Sequence, residues 1–207
     1  MICGLLYGQL VTAEDYLRAA FTAMHTGADA VYCAASLETV ARLRAEGIPV
    51  CGHVGLIPSK RTWTGGFKAV GKTATTAMQV YEQTRRLEEA GAFAAEIEVV
   101  PEAVASAIAR RTGMLMISMG AGRGCDAQYR FAKDVLGAHD GHYPRHAKRY
   151  RDFLAEYRRL QQERIAAFSE FAADVRSGRY PEERHLVRID ERELAAFETA
   201  LERGAQP

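Results

Sequence analysis

Residues 87–101 read Leu87-Glu88-Glu89-Ala90-Gly91-Ala92-Phe93-Ala94-Ala95-Glu96-Ile97-Glu98-Val99-Val100-Pro101. An acidic helix tail closes at Gly91, because glycine supplies the left-handed residue that ends a helix. The run Ala95–Val100 then reads as a strand, and Pro101 sits in the first turn of the next helix, where its missing N–H costs nothing. The same punctuation recurs on both sides. Gly27 precedes Ala30–Ala34, Gly47 precedes Ile48–Val54, and Gly113 precedes Met114–Ser118. Ile2–Tyr7 reads as one more strand, and Gln128–Val135, polar for a strand, as the last. Short apolar runs of this kind, each after a glycine, are buried parallel strands.

The segments between them are helical. Thr12 caps a helix with Asp15 reaching back. Ser36 caps Leu37–Ala45, Thr73 caps Ala74–Ala90, and Pro101 leads into Ala103–Arg111. Strands alternating with helices predict a parallel α/β fold of right-handed βαβ units. A full (β/α)8 barrel needs about 250 residues, so the first 137 residues hold five or six of its strands.

From Ala138 the pattern changes. His146–Arg176 reads as one long helical stretch or two, and residues 138–207 carry 13 Lys+Arg against 13 Asp+Glu. A balanced charge run is a solvated helix face. The expected organisation is a partial barrel over 1–137 and a C-terminal helical extension over 138–207, packed on the same domain by aromatics such as Tyr150, Phe153 and Tyr157.

The whole chain has 207 residues, 27 Lys+Arg against 26 Asp+Glu, and a formal net charge of +1. That excludes a binder held on nucleic acid by general electrostatics. Hydrophobic residues make up 48%, yet no apolar run approaches the roughly 20 residues of a membrane span. Met1–Leu10 lacks the basic start of a secretory signal. Cys3, Cys33, Cys51 and Cys125 form no CxxC pair, which predicts reduced thiols and a cytoplasmic protein.

In a parallel α/β sheet, reactive groups gather at the C-terminal strand ends. Three runs qualify. His53 lies in an apolar strand between Gly52 and Val54, with a further glycine at 55. It reads either as a neutral donor to a substrate carbonyl or as a satisfied core histidine. Glu96 and Glu98 are two apart and so share one strand face, with Glu98 nearer the strand's end. Burial would raise such a carboxylate toward the range of a useful general base. The alternative is a strand-end glutamate capping a helix. The loop Gly120-Ala121-Gly122-Arg123-Gly124 could cradle an anion with backbone N–H groups. Gly65-Gly66-Phe67-Lys68 with Gly71-Lys72 reads as a mobile lid with a cationic tip, or as a plain surface loop.

These motifs, in this order, resemble the ketopantoate hydroxymethyltransferase family. Gly52-His53-Val54-Gly55-Leu56-Ile57-Pro58, followed by Gly65–Lys72, resembles its GHLGLTPQ…GGYKVQGK. Leu87–Phe93 and Ile97–Pro101 resemble LEEAGAF…LECVP, Gly120–Gln128 resembles GAGxGCDGQ, and Tyr180–His185 resembles the closing YPGPEHS. The resemblance runs from about Thr12 to His185. It implies a (β/α)8 TIM-type barrel of the phosphoenolpyruvate/pyruvate superfamily. It also implies transfer of a hydroxymethyl group from 5,10-methylenetetrahydrofolate to 2-oxoisovalerate in pantothenate biosynthesis, with Mg²⁺ at the enolate oxygen. Glu98 then matches the catalytic base, His53 a residue contacting the oxo acid, and Lys68 and Lys72 the lid. A homo-oligomer follows by resemblance alone; nucleic acid and membrane are not implied.

The departures fall on the metal side. The family has two further strands ahead of the match, carrying a GDS motif, and this chain begins after them. Gly4 stands where the family has a metal-binding aspartate. Ala34 replaces a glutamate near the metal, and Tyr32 replaces a substrate-binding lysine. No metal ligand is assigned in this chain, and its Mg²⁺-dependent transfer is expected to be weak or absent. Two rival functions remain open. One is a lyase or hydrolase on another small 2-oxo acid, with Glu98 as base and Tyr32 as a new acid or oxyanion donor. The other is a non-catalytic subunit of a full-length relative.

Overall fold

The side-chain caps sit where their residue types place them. Thr12 accepts from the Asp15 N–H at 3.2 Å, while the Asp15 carboxylate accepts from the Thr12 N–H at 2.9 Å. Ser36 and Thr73 accept from the N–H groups of Thr39 and Thr76. Each satisfies one of the orphan N–H groups of a helix start. The computed structural model describes residues 1–204 and divides into two units, Met1–Arg151 and a second beginning at Asp152.

The first unit runs β1 (Ile2–Gly4), α1 (Ala13–His25), β2 (Ala30–Tyr32), α2 (Leu37–Ala45), β3 (Val50–Gly55), α3 (Ala74–Glu89), β4 (Ala94–Glu98), α4 (Glu102–Ala109), β5 (Leu115–Met119), β6 (Ala127–Gln128) and α5 (Ala132–Leu136). The six strands pair in sequence order, all parallel. The result is an α/β fold, a curled six-stranded half-barrel with helices. The second unit contains α6 (Phe153–Ser177) and α7 (Glu191–Gly204). Among the described residues no helix is long and apolar enough to cross a membrane.

Two expected elements differ. Of the predicted strand Gln128–Val135 only Gln128 joins the sheet, as the end of β6, and Ala132–Leu136 is helical. Leu136 is followed by Gly137 in the left-handed conformation, a helix stop that the strand assignment ignored. The long helix starts at Phe153, capped by Asp152, and not at His146.

Alternation sorts each strand between two environments. Val31, Val50, Val54, Ala95, Ile97 and Met116 belong to the main core, which also holds Ala20, Leu43 and Ile108 from the helices. Tyr32, Cys51, His53, Glu96 and Glu98 line the opposite, concave side. The polar groups of this sheet are thus collected on one face.

Two glycines set the spacing beneath that face. A Cβ on Gly52 would fall 2.4 Å from the Leu87 side chain, so the bare backbone lets α3 pack onto β3. Gly55 has φ +85°, and a Cβ there would lie 2.5 Å from the Glu98 carbonyl oxygen. The turn it permits carries the Leu56 N–H to that same carbonyl, at 2.9 Å. Gly55→Ala combines a backbone clash with a left-handed φ. It is expected to lower unfolding free energy by about 2–4 kcal/mol, as strain and overpacking costs combine. A urea titration followed by circular dichroism checks it; an unchanged midpoint would contradict the packing described.

Candidate active site

The β3–β4 register builds the site. His53 pairs with Glu96 and Gly55 with Glu98, so the imidazole and both carboxylates converge on the concave face. One step along the sheet, Tyr32 pairs with Cys51 and brings its ring beside His53, centroids 5.9 Å apart. The Tyr32 hydroxyl hydrogen-bonds His53 Nδ1. His53 Nε2 lies 3.3 Å from Glu98 Oε2, with their side chains 2% and 10% exposed. That approach is not aligned as a hydrogen bond, and Nε2 has no hydrogen-bond partner among the described residues. One ligand atom each from His53, Glu96 and Glu98 can be chosen so that all lie within 4.8 Å of one another.

Desolvation dominates the electrostatics. Burial pushes the Glu96 carboxyl above its ordinary value; His53 and the Tyr32 hydroxyl pull it back, and Glu98 pushes it further up. Burial, then the Glu96 charge, raises the Tyr32 phenol far above the usual range. Tyr32 is therefore a donor at every physiological pH. The buried Cys51 thiol, raised to about 12 chiefly by desolvation, stays protonated.

A cavity of about 1150 Å³ opens onto this cluster. Lys68 and Lys72 reach its wall with exposed side chains, and Gly4 and Ala34 line it at the ends of β1 and β2. Sequence reasoning missed its far side, where Tyr129, His142, Arg145 and His146 stand. They come from a stretch expected to be a strand end and a helix. Pro144 was the available signal; the fit of His146 on Gly120, where a Cβ would fall 2.7 Å from the imidazole, is a tertiary contact.

The glycine-rich loop is tied down by side chains. The Ser118 hydroxyl and the Gln128 amide both donate to the Gly122 carbonyl at 2.8 Å, and the Ala121 N–H donates to Ser118. Its Gly120 packs against the His146 ring.

Mg²⁺, which the sequence resemblance implies, takes near-octahedral oxygen sets. Gly4 and Ala34 have no donor side chain to offer it. The cluster that does exist combines an imidazole nitrogen with two carboxylates, a set better suited to a borderline transition ion. The described residues do not fit Mg²⁺ in the expected manner.

Because Glu96 is held above its unfolded value, the folded state keeps its proton to higher pH. The stability this contributes is present below the ordinary carboxylate range and is lost as pH rises through the folded value. In metal-free buffer, Glu96→Gln is therefore expected to match the wild type near pH 4 and to exceed it by about 1 kcal/mol near pH 8, since it removes a charge that burial disfavours more than its neighbours stabilise it. Thermal melts across that range test the sign; a variant less stable at pH 8 would refute it.

The family described as ketopantoate hydroxymethyltransferase matches residues 1–183. A 3-methyl-2-oxobutanoate hydroxymethyltransferase of Chloroflexus aurantiacus is 40% identical over 161 residues, 76% of this chain and 53% of that one. Its counterpart in Cenarchaeum symbiosum is 35% identical over 179 residues, 85% of this chain and 66% of that one. Among solved structures, a phosphonomutase of Burkholderia cenocepacia J2315, so described in its title as a probable assignment, superposes with a TM-score of 0.44 at 13% identity, covering 57% of this chain and 52% of the other. The chain spans about half the length of most of the curated relatives it matches. By sequence over most of its length, the chain belongs to the ketopantoate hydroxymethyltransferase family.

Proposed function

We propose that this chain enolises a small 2-oxo acid for one-carbon transfer, with 2-oxoisovalerate as acceptor and 5,10-methylenetetrahydrofolate as donor. The observation that carries it is a buried carboxylate, Glu98, at the C-terminal end of a barrel strand, facing a cavity of substrate size. Glu98 takes the C3 proton. The enolate carbon then bonds the donor's methylene carbon, the carbon–nitrogen bonds to the folate break, and water supplies the hydroxyl oxygen.

Each remaining residue has a task in that step. The Tyr32 hydroxyl is a permanent donor toward the developing enolate oxygen, the role an oxyanion hole plays. His53 fixes Tyr32 through Nδ1 and stands with Nε2 3.3 Å from Glu98 Oε2. Lys68 and Lys72 supply positive charge on the lid segment for the substrate carboxylate. Because Gly4 and Ala34 contribute nothing to a metal, the step proceeds without Mg²⁺ and at a low rate. The Tyr32–His53 contact also favours a second reading, a metal-independent lyase on another 2-oxo acid with the same base.

The two unpaired outer strands, β1 and β6, support a homo-oligomer that covers them. The four free cysteines suit a reducing, cytoplasmic setting.

The test is hydrogen–deuterium exchange at C3 of 2-oxoisovalerate, followed by NMR. Exchange is expected to persist in EDTA and to fall by 10²–10⁴ in Glu98→Gln, roughly the contribution of a general base. Tyr32→Phe is expected to cost on the order of 100-fold, as losing one oxyanion donor does. Exchange that requires Mg²⁺, or survives Glu98→Gln, would overturn the assignment.

A further inference from the structure

Glu96 has no task in the reaction above, yet it is buried beside the base. Tyr32 has a single hydroxyl proton. Kept for the substrate, it leaves the Tyr32 oxygen as an acceptor for His53 Nδ1–H. The neutral ring then carries a lone pair on Nε2. Nε2 lies 3.3 Å from Glu98 Oε2, buried and with no hydrogen-bond partner among the described residues. Lone pairs brought this close in a desolvated site call for a cation.

The spacing suits a metal ion. Two donors about 2.0–2.1 Å from a tetrahedral ion stand about 3.4 Å apart. Glu96 adds a third donor, and one ligand atom from each of the three residues can be chosen so that all lie within 4.8 Å of one another. A second-sphere partner on the other ring nitrogen is the usual way a ligating histidine is fixed, and Tyr32 provides it. Imidazole with two carboxylates selects a first-row transition ion over Mg²⁺, and three protein ligands leave a fourth position open to the cavity.

We propose that His53 Nε2, Glu96 and Glu98 form a three-ligand site for a divalent transition ion, Zn²⁺ ahead of Mg²⁺, whose occupation withdraws Glu98 from proton transfer. The binding half stands on the ligand geometry alone. The inhibitory half rests on Glu98 being the base, so the two are read separately.

Zn²⁺ is titrated into the purified chain by calorimetry, beside Mg²⁺, with Co²⁺ absorption as a coordination probe. One Zn²⁺ per chain is expected, with Mg²⁺ far weaker. Glu96→Gln and His53→Gln are each expected to weaken Zn²⁺ by on the order of 100-fold while keeping the wild-type circular dichroism. Unchanged affinity in both, or Mg²⁺ binding as tight as Zn²⁺, would overturn the site. Should either variant not fold, zinc-edge anomalous diffraction from wild-type crystals decides. A peak between His53 and Glu98 supports the site, and a peak only elsewhere, such as at the His139–Asp134 pair, refutes it. Added Zn²⁺ is expected to suppress C3 exchange at least tenfold, restored by EDTA. Zn²⁺ bound at this site with exchange undiminished would overturn the inhibitory half, whereas a chain that binds Zn²⁺ but shows no exchange under any condition overturns the proposed function and leaves the site intact.

Discussion

The pairing of β3 on β4 is the constraint on which the rest depends. Its register sets His53 opposite Glu96 and Gly55 opposite Glu98. A slip of one residue would exchange faces, sending both glutamates into the helix-side core and Val54 and Ile97 into the cavity. Such a slip is costly because Val54 and Ile97 are almost without solvent contact. Apolar burial on one side therefore holds the polar cluster in place on the other. Gly52 and Gly55 serve the same end, the first by admitting Leu87 under the strand and the second by admitting the Glu98 carbonyl above it.

Concentrating two carboxylates, an imidazole and a phenol in a dry pocket is destabilising, and the fold tolerates it through shared protons. Tyr32 touches both His53 and Glu96. Each group in the chain thus modifies its neighbour's readiness to gain or lose a proton, and none is an independent acid or base. Gly4 and Ala34 line the cavity without side-chain donors, and the titratable groups of the cluster are gathered on β2, β3 and β4.

Much of the architecture was legible in the chain itself. Thr12, Ser36 and Thr73 announce their helices through backbone caps, and the glycines at 27, 47, 91 and 113 announce the strands that follow, because both signals are local. Gln128–Val135 was misread because a polar strand and the first turn of a short helix look alike until the left-handed Gly137 is given weight. Residues 142–146 carry no periodicity, and their approach to the cavity depends on a tertiary contact with Gly120 that no local pattern encodes. In the site, His53 and Glu98 stood out as polar groups in apolar strands. The partnership of Tyr32 with His53, and the share of Glu96 in the cluster, depend on cross-strand register between segments about 20 and 40 residues apart, which composition does not carry.

Val99, next to the base, has φ +50°, a conformation that β-branched residues rarely adopt. Its N–H donates to the Met119 carbonyl at 2.8 Å, and its own carbonyl accepts from the Val70 N–H at 3.2 Å. Val70 lies midway between Lys68 and Lys72. The segment carrying those lysines is thereby leashed to a wound spring one peptide from Glu98. Whatever moves the lysine segment therefore also loads or unloads that spring, and the two ends of the leash respond to one another.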